Sequence, residues 1–570
     1  MRAGLWKGWV GILAMTALIA CGSSPPAEHS TQPTTDAGSD AGAPLGAPIA
    51  IAGDPVGSAI PVAAPVPVAR KYENPVQLTP PDQRAPAPAS GLSHVGGWLN
   101  TTRAFTGEEL TGRILVIDFW TAGCINCIHV AATLEKFSQE HENDPVLVIG
   151  VHAQKFTADS PPDVVRAQMI EMGVTHPVAI DAQHQELHDW GAPAWPTLYI
   201  LDAHGRIDKR FVGEPSLKDL DDAVESALHE QALEGGLATT PLGFLGREKD
   251  AATPLASPEK IITTPTGYAI ADTGHNRVVL TDATGAVGDV IGDGTDGSAD
   301  GPYASARFSG PKGLAMMGST LYVADTQNHR LRAVDLTAKT VTTVAGTGVR
   351  GHKLAAAVKA TDTALASPWD LLAVSGTLFI ANAGTHQIAT YDPTAKTLAG
   401  FAGTGGEGLQ DGAATEALFA QPSGLATDGT SLYVADAESS SLRKVDLNTG
   451  DVTTLVGQGL FKWGDVDGPP DKALLQHDQG LAIDGTTLYI ADTYNSKVKA
   501  FDLTTQVTST VAGDETPPAL FYPGGLAVMP ASGSSTRLLV ADTDHDQIVI
   551  VDASGTPAPK PWPISGLSAP

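Results

Sequence analysis

Residues 117–127 read IDFWTAGCINC, and this stretch decides the fold of the first domain. The apolar run at 114–119 predicts a buried strand. Val130, Leu134 and Phe137 follow at helical spacing, so they predict a helix that begins close to the two cysteines. A Cys-x-x-Cys pair between a strand and a helix is typical of a redox-active pair of thiols.

The spacing assigns different roles to the two cysteines. A thiolate is the nucleophile in disulfide exchange, and the free N–H groups and partial positive charge of a helix N-terminus stabilise it. We therefore expect Cys124 to lie exposed at the helix start and to attack. Cys127, one turn later, is expected to be more buried and to resolve the mixed disulfide. No Lys or Arg adjoins Cys124, so further activation has to come from the helix end or from His129.

The order of these residues resembles the thioredoxin superfamily over roughly residues 92–230. The resemblance implies that Asp118 is the buried acid that helps to deprotonate the resolving cysteine and that Trp120 packs under the site. The segment 195–197, Trp-Pro-Thr, resembles the cis-proline loop that faces the disulfide, and Gly213 resembles a glycine near the same groove. The resemblance thus implies an α/β thioredoxin-like fold whose catalytic residues are Cys124, Cys127, Asp118, Pro196 and Trp120.

Two departures from the thioredoxin pattern leave the chemistry open. Ile125-Asn126 stands where the family usually has Gly-Pro, and Gly123 stands where a Trp usually precedes the first cysteine. Since the dipeptide tunes the redox potential, the direction of electron flow does not carry over. Two other interpretations remain: a purely structural disulfide, and half of a zinc site that His129 and His152 would complete.

The N-terminal residues are interpreted as a targeting signal. Two basic residues precede an apolar run at 9–20, which is too short to span a membrane and is typical of a signal peptide. The run ends in Leu-Ile-Ala-Cys and resembles a bacterial lipobox, which implies cleavage after residue 20 and lipidation of Cys21. Residues 22–90 are rich in Pro, Ala, Gly, Ser and Thr, so they predict an unfolded tether. The expected location is the bacterial cell envelope, anchored by lipid at the outer membrane.

The rest of the chain repeats. Six apolar stretches of the type Leu-Tyr-Val-Ala-Asp-Thr recur with a period of 50 to 57 residues, which indicates a propeller or solenoid. They lie at 268–273, 321–326, 378–383, 432–437, 488–493 and 538–543. Six copies of four short strands predict an all-β six-bladed β-propeller over residues 236–570, and the copies resemble NHL repeats. The repeated Asp is interpreted as a structural turn cap.

A thioredoxin-like domain at 91–235 followed by such a propeller resembles the family of NHL-repeat-containing protein 2, in which a Cys-Ile-Asn-Cys sequence occupies the same place. That family has no well-defined biochemical role, so the resemblance predicts architecture more than activity. His275, His329, His386 and His545 follow the repeat's Asp or Asn at unequal offsets. They leave a metal-dependent propeller enzyme as a weaker alternative.

Composition excludes some classes of partner. The formal net charge of −28 argues against nucleic-acid binding, which needs a basic surface. We therefore hypothesise an anchored thiol–disulfide oxidoreductase that uses the Cys124–Cys127 disulfide and no other cofactor or metal, acts on a protein thiol or disulfide, and binds its partner through the propeller. The competing hypothesis is a non-catalytic envelope protein whose propeller binds a protein or glycan and whose disulfide is structural.

Overall fold

The computed structural model describes residues 79–88, 92–159, 161–249, 252–513, 519–530, 535–555 and 558–570. The predicted signal peptide at 1–21, the lipidation site Cys21 and the tether as far as residue 78 lie outside the described residues.

The first domain is built on a seven-stranded mixed sheet of order β1-β7-β6-β3-β4-β5-β2. Strands β3, β4 and β5 run parallel, β6 runs antiparallel to β3, and β7 runs antiparallel to β6. The strands are β1 Ala85–Pro86, β2 Trp98–Leu99, β3 Ile114–Trp120, β4 Val146–His152, β5 Val178–Ile180, β6 Thr197–Leu201 and β7 Arg206–Val212. The helices are α1 Gly107–Leu110, α2 Ile125–Glu140, α3 Pro162–Glu171, α4 Gln185–Trp190 and α5 Leu217–Glu234.

Strand β3 is buried along its whole length because helices cover both faces of the sheet. Ile114 and Val116 point into the core formed with α2 and α5, while Leu115 and Ile117 point to the opposite face, which α4 covers. Side chains alternate along a strand, so Asp118 points to the α2 side of the sheet. This parity places a carboxyl group beneath the helix that carries the cysteines.

The first domain extends beyond both boundaries taken from composition. Residues 79–88 were assigned to the tether, yet β1 pairs with β7, and the buried Arg84 forms ion pairs with Asp202, Asp208 and Glu230. Residues 236–249, assigned to the propeller, pack back on the first domain, where Leu242 joins the core.

Six four-stranded antiparallel sheets follow and form a six-bladed propeller, two of them extended by a short fifth strand. From the inner to the outer strand, blade 1 has Pro258–Thr264, Gly267–Asp272, Arg277–Asp282 and Val287–Ile291; blade 2 Pro311–Met317, Thr320–Asp325, Arg330–Asp335, Thr340–Ala345 and Gly301–Pro302; blade 3 Pro368–Val374, Thr377–Asn382, Gln387–Asp392, Thr397–Ala402 and Val358–Lys359. Blade 4 has Pro422–Thr427, Ser431–Asp436, Ser441–Asp446 and Val452–Val456; blade 5 Gly480–Asp484, Thr487–Asp492, Lys497–Asp502 and Val507–Ala512; blade 6 Pro523–Val528, Arg537–Asp542, Gln547–Asp552 and Lys560–Pro561.

The repeated Asp-Thr pair is structural, as the sequence predicts. In every blade the Asp or Asn accepts a backbone N–H from the loop that leads into that blade, as Asp325 does from Ser309 at 2.8 Å. Where Thr follows, its hydroxyl donates to the first residue of the next blade's inner strand. Thr543 closes the ring by donating to the carbonyl of Pro258 at 2.9 Å.

No helix of the described ranges is long and apolar enough to cross a membrane.

Candidate redox site

The two cysteines lie where the sequence predicts, at the start of α2. Cys124 is the N-cap residue of α2, and its thiol makes no cap hydrogen bond to the first turn. Cys127 lies one turn further and is 1% exposed. Both are free thiols in this structure. Among the described residues, His129 and His152 do not gather with these thiols into a group of metal-ligating atoms.

Asp118 is the buried acid below the pair. Its side chain is 2% exposed, and one of its oxygens has no hydrogen-bond partner among the described residues. Burial raises the pKa of Asp118 to about 8. Burial also raises the pKa of Cys127, and the neighbouring Cys124 and the charge of Asp118 act in the same direction. An acid that ionises near neutral pH below a thiol that resists ionisation is suited to exchanging a proton with it.

The cis-proline loop faces the first thiol. The Trp195–Pro196 peptide bond is cis, and the carbonyl oxygen of Trp195 lies 4.0 Å from the Cys124 Sγ. Gly213 donates its N–H to the Pro196 carbonyl at 2.9 Å, which fixes the loop against the end of β7. Trp120 is 2% exposed and packs edge-on against His152 below the site. All five predicted site residues therefore lie in one region of the domain.

The prediction that Cys124 lies exposed is wrong: it packs among first-domain side chains, and propeller residues lie against its neighbours Gly123 and Ile125. Cys124 is 7% exposed. Residues at equivalent positions in the six blades lie near this region in four of them; each comes directly before the Pro that opens the inner strand, or before Asp478, which stands in place of that Pro in blade 5. All six have a left-handed backbone with φ between 43° and 65°. We call them the docking ring: Ser257, Gly310, Ser367, Gln421, His477 and Tyr522.

Four members of the docking ring, from blades 3 to 6, contact the first domain. Ser367 hydrogen-bonds His129 Nε2 at 2.9 Å. Gln421 Oε1 accepts the backbone N–H of Ile125 at 2.9 Å. The Tyr522 hydroxyl lies 3.5 Å from Asp159 Oδ1.

The fourth contact, made by His477, explains the glycine before the first cysteine. A Cβ atom on Gly123 would lie 2.9 Å from His477 Cε1 and 2.9 Å from the Tyr494 hydroxyl. Both rings are buried and they stack on each other at 4.5 Å. Aromatic groups of the propeller therefore occupy the space next to Gly123.

The unusual dipeptide is also part of the interface. Ile125 packs into a hydrophobic cluster of blades 3 and 4 that contains Trp369 and Phe379. The Asn126 side chain lies beside Glu407 of the propeller. Both departures from the thioredoxin pattern thus coincide with contacts to the propeller.

His129 does not activate Cys124, contrary to one of the two sources expected from sequence. Its ring nitrogens are engaged by Ser367 of the propeller and by Glu214. Burial, and secondarily the nearby Arg350, lowers the pKa of His129 to about 3. The imidazole is therefore neutral at physiological pH and offers no positive charge to a thiolate.

Ion pairs connect the two domains around α2. Lys155 pairs with Glu438, and Arg350 pairs with Glu214. Lys312 of the propeller lies 2.6 Å from both Glu171 of the first domain and Glu259 of its own. Lys312 also lines a cavity of about 60 Å³ whose wall includes Gly123. Charges of opposite sign face each other in each pair, so the contact is electrostatically complementary.

The four propeller histidines do not converge on one site. His275 and His545 bond the Asp of their own blades at 3.0 and 2.8 Å. His329 and His386 accept the backbone N–H of the next blade's docking-ring residue. In the part of the chain that the structure describes, the group able to gather around a metal is His94, Glu186 and Asp189, which belongs to the first domain.

Sequence reasoning missed the docking ring. Its members lie far from the cysteines along the chain, and no single motif contains them. A signal was present, however. The six copies are alike at the Asp and at most of the strand-opening prolines, yet the residue just before that Pro varies among the copies, as Ser, Gly, Ser, Gln, His and Tyr. A position that varies inside an otherwise regular repeat indicates a surface used for contact.

Comparisons with known proteins agree with this architecture. The family model described as Redoxin matches residues 86–226. The thiol-disulfide oxidoreductase ResA of Geobacillus thermodenitrificans is 24% identical over 118 residues, 21% of this chain and 65% of that protein.

Two longer relatives match both domains. NHL repeat-containing protein 2 of Homo sapiens is 35% identical over 502 residues, which cover 80% of this chain and 69% of that protein. Protein SUPPRESSOR OF QUENCHING 1, chloroplastic, of Arabidopsis thaliana is 36% identical over 494 residues, 80% of this chain but 46% of that protein, so this chain spans about half of the plant protein. With its redoxin-type domain and six-bladed propeller, the chain belongs to the family of NHL repeat-containing protein 2 and SUPPRESSOR OF QUENCHING 1.

Proposed function

We propose that this protein is a thiol–disulfide oxidoreductase. The observation that carries the proposal is the placement of two free thiols at the start of α2, above the buried Asp118 and facing the Trp195 carbonyl. In the reducing direction, the Cys124 thiolate attacks a substrate disulfide and releases one substrate thiol. Cys127 then attacks Cys124, releases the second thiol, and leaves the Cys124–Cys127 disulfide. Two electrons and two protons pass to the substrate.

The docked arrangement is the closed form of this enzyme. A folded protein cannot bring its disulfide to a thiol that is 7% exposed under the propeller. We infer that a protein substrate reacts after the propeller has moved aside, and that the docking ring is then free to contact it. The propeller thereby supplies the partner-binding surface. Anchoring in a cell envelope through a lipid on Cys21 is part of the same proposal, and radiolabelled palmitate incorporation that is lost in Cys21→Ala tests it.

Exchange with insulin and with a small aromatic disulfide tests the redox role. We expect the reduced full-length chain to reduce both, and Cys124→Ser to lose more than about 100-fold of the rate, because the attacking sulfur is gone. Cys127→Ser should instead accumulate a mixed disulfide at Cys124, visible by mass spectrometry. Unchanged exchange in Cys124→Ser contradicts the proposal.

Asp118→Asn tests proton transfer. The pKa of Asp118 is raised to about 8, so in the native protein the carboxyl group ionises between neutral and mildly alkaline pH. We expect the variant to exchange at least about tenfold more slowly at pH 7 and to lose the rise in rate with pH that ionisation of Asp118 provides. Stopped-flow kinetics from pH 6 to 9 measure both.

Stability provides the control for that variant. A carboxyl group whose folded pKa lies above its unfolded value destabilises the fold increasingly as pH rises from about 4 to about 8. Asp118→Asn removes this penalty, so the variant should unfold at the same or a higher urea concentration at pH 7. A slower rate accompanied by lost stability would indicate damage to the fold and not loss of a proton acceptor.

One observation favours the second candidate, a non-catalytic interaction protein. Four consecutive blades of the propeller contact the first domain around the cysteines, as a permanent structural interface would. In that case Cys124→Ser would fully restore the function of a deletion strain.

A further inference from the structure

Gln421 is the member of the docking ring that contacts Ile125, the first residue of α2. It is 0% exposed, and hydrogen bonds hold its backbone on both sides. Its N–H donates to His386 Nδ1 at 3.1 Å, and its carbonyl accepts from Ala437 N at 3.1 Å and from Ser423 Oγ at 2.9 Å. The position of the side chain is therefore fixed by the propeller.

The Gln421 side chain caps α2 from another domain. Its Oε1 accepts the N–H of Ile125, the first residue of the helix, at 2.9 Å in a fully buried setting. An N-cap side chain normally accepts from the second or third residue of a helix, and Cys124, which holds that position, makes no cap hydrogen bond. The propeller thus supplies an acceptor that the first domain lacks.

This cap acts against a thiolate on Cys124. The free N–H groups of the first helical turn are what stabilise an anion at a helix N-terminus. Gln421 engages one of them and places the negative end of its carbonyl dipole against the N–H of the residue that follows Cys124. Its Nε2 has no hydrogen-bond partner among the described residues, so no hydrogen bond from the amide to either thiol compensates for this.

We propose that Gln421 is a positioning residue of the redox centre, which holds the first turn of α2 and disfavours the Cys124 thiolate while the propeller is docked. The inference rests on the proposed redox role of Cys124. Because the cap comes from the propeller, undocking releases the Ile125 N–H and favours the thiolate. By linkage, forming the thiolate weakens docking to the same extent. The cysteine is then most nucleophilic when it is also accessible.

The pH profile of Cys124 alkylation by iodoacetamide tests this in the full chain, with modification at Cys124 read by mass spectrometry. Gln421→Met keeps the size of the side chain and removes the acceptor. We expect the pH midpoint of alkylation to fall by about half a pH unit, the size of one helix-terminus interaction. The reduction potential of the pair should become less negative, since a stabilised thiolate favours the reduced form.

The plateau of the alkylation rate at high pH distinguishes a change in the stability of the Cys124 thiolate from a change in the access of the reagent to Cys124. At high pH all Cys124 is thiolate, so a higher plateau reports greater access, whereas a shifted midpoint reports a changed thiolate. Gln387→Met is the matched control, because Gln387 is a buried propeller glutamine that bonds Leu354 and Gly403 away from α2. It should leave the midpoint unchanged.

A midpoint in Gln421→Met that stays in place or rises overturns the inference. Gln421→Glu provides a second variant of nearly the same shape, which retains an acceptor and adds negative charge. Its midpoint should rise, and a fall would equally overturn the inference. Alkylation needs no exchange partner, so these outcomes are separate from a failure of the oxidoreductase proposal, which would appear as absent exchange in the unmodified protein.

Discussion

Gly123→Trp is expected to separate the two domains and uncover Cys124. A Cβ alone would already lie 2.9 Å from His477 Cε1 and from the Tyr494 hydroxyl, and both side chains are buried. An indole has no room there. Overpacking of this kind costs about 1–3 kcal/mol or more, which raises the population of undocked molecules about fivefold or more. Cys124 alkylation at neutral pH should accelerate accordingly, and the radius of gyration from X-ray scattering should increase.

Gly243→Trp is the matched control for that experiment. A Cβ on Gly243 meets nothing within 4 Å, so the same indole at that position should leave both the alkylation rate and the scattering unchanged. Slow alkylation and an unaltered radius in Gly123→Trp would show that the propeller does not cover the redox site in solution.

Lys312→Met is expected to lower the free energy of unfolding by about 3–5 kcal/mol, the cost of removing one partner of a buried ion pair. Lys312 is buried between Glu171 and Glu259, so the substitution leaves two carboxylates without their shared cation. Urea unfolding at pH 8 measures the loss. Lys359→Met is the control, because the Lys359–Asp362 pair is largely exposed and should contribute less than about 1 kcal/mol.

The Lys312→Met deficit should depend on pH with a definite sign. Burial already raises the pKa of Glu259, and removal of Lys312 raises it further because an attractive charge is lost. Below that raised pKa, Glu259 takes up a proton in the folded state and the uncompensated charge disappears. The deficit should therefore be largest at pH 8 and shrink toward pH 5. Lys312→Met/Glu259→Gln should recover part of the loss at pH 8, and a deficit that grows as pH falls would contradict this explanation.

The local features of both domains could be predicted from sequence because each depends on neighbouring residues. The apolar run before Cys124, the parity of Asp118 on that strand and the Trp195-Pro196 loop define the redox fold within about 80 residues. The Asp-Thr pair repeats six times with small variations, so the number of blades is countable.

The cover over Cys124 could not be predicted in this way. It depends on Gln421, His477 and Tyr522, which are about 300 to 400 residues away along the chain. Periodicity shows that a position faces one end of a propeller, but it does not show which end binds another domain. The expectation of a helix N-terminus was correct for the position of Cys124 and wrong for its exposure, because contacts between the propeller and the first domain cannot be read from the first domain alone. The sequence shows that Gly123 departs from the thioredoxin pattern. The reason, which is the closeness of His477 and Tyr494 of the propeller, is visible only in the structure.

The reduction potential of the Cys124–Cys127 pair is the most direct test of whether this protein is a thiol–disulfide oxidoreductase. The full-length chain would be equilibrated with glutathione or dithiothreitol buffers, and the fraction of disulfide would be read by mass spectrometry. We expect a reversible two-electron couple with a reduction potential between about −270 and −120 mV, the range of thioredoxin-like enzymes. A pair that stays oxidised far below about −300 mV would be a structural bridge. Such a pair, or one that forms no disulfide at all, would contradict the oxidoreductase assignment.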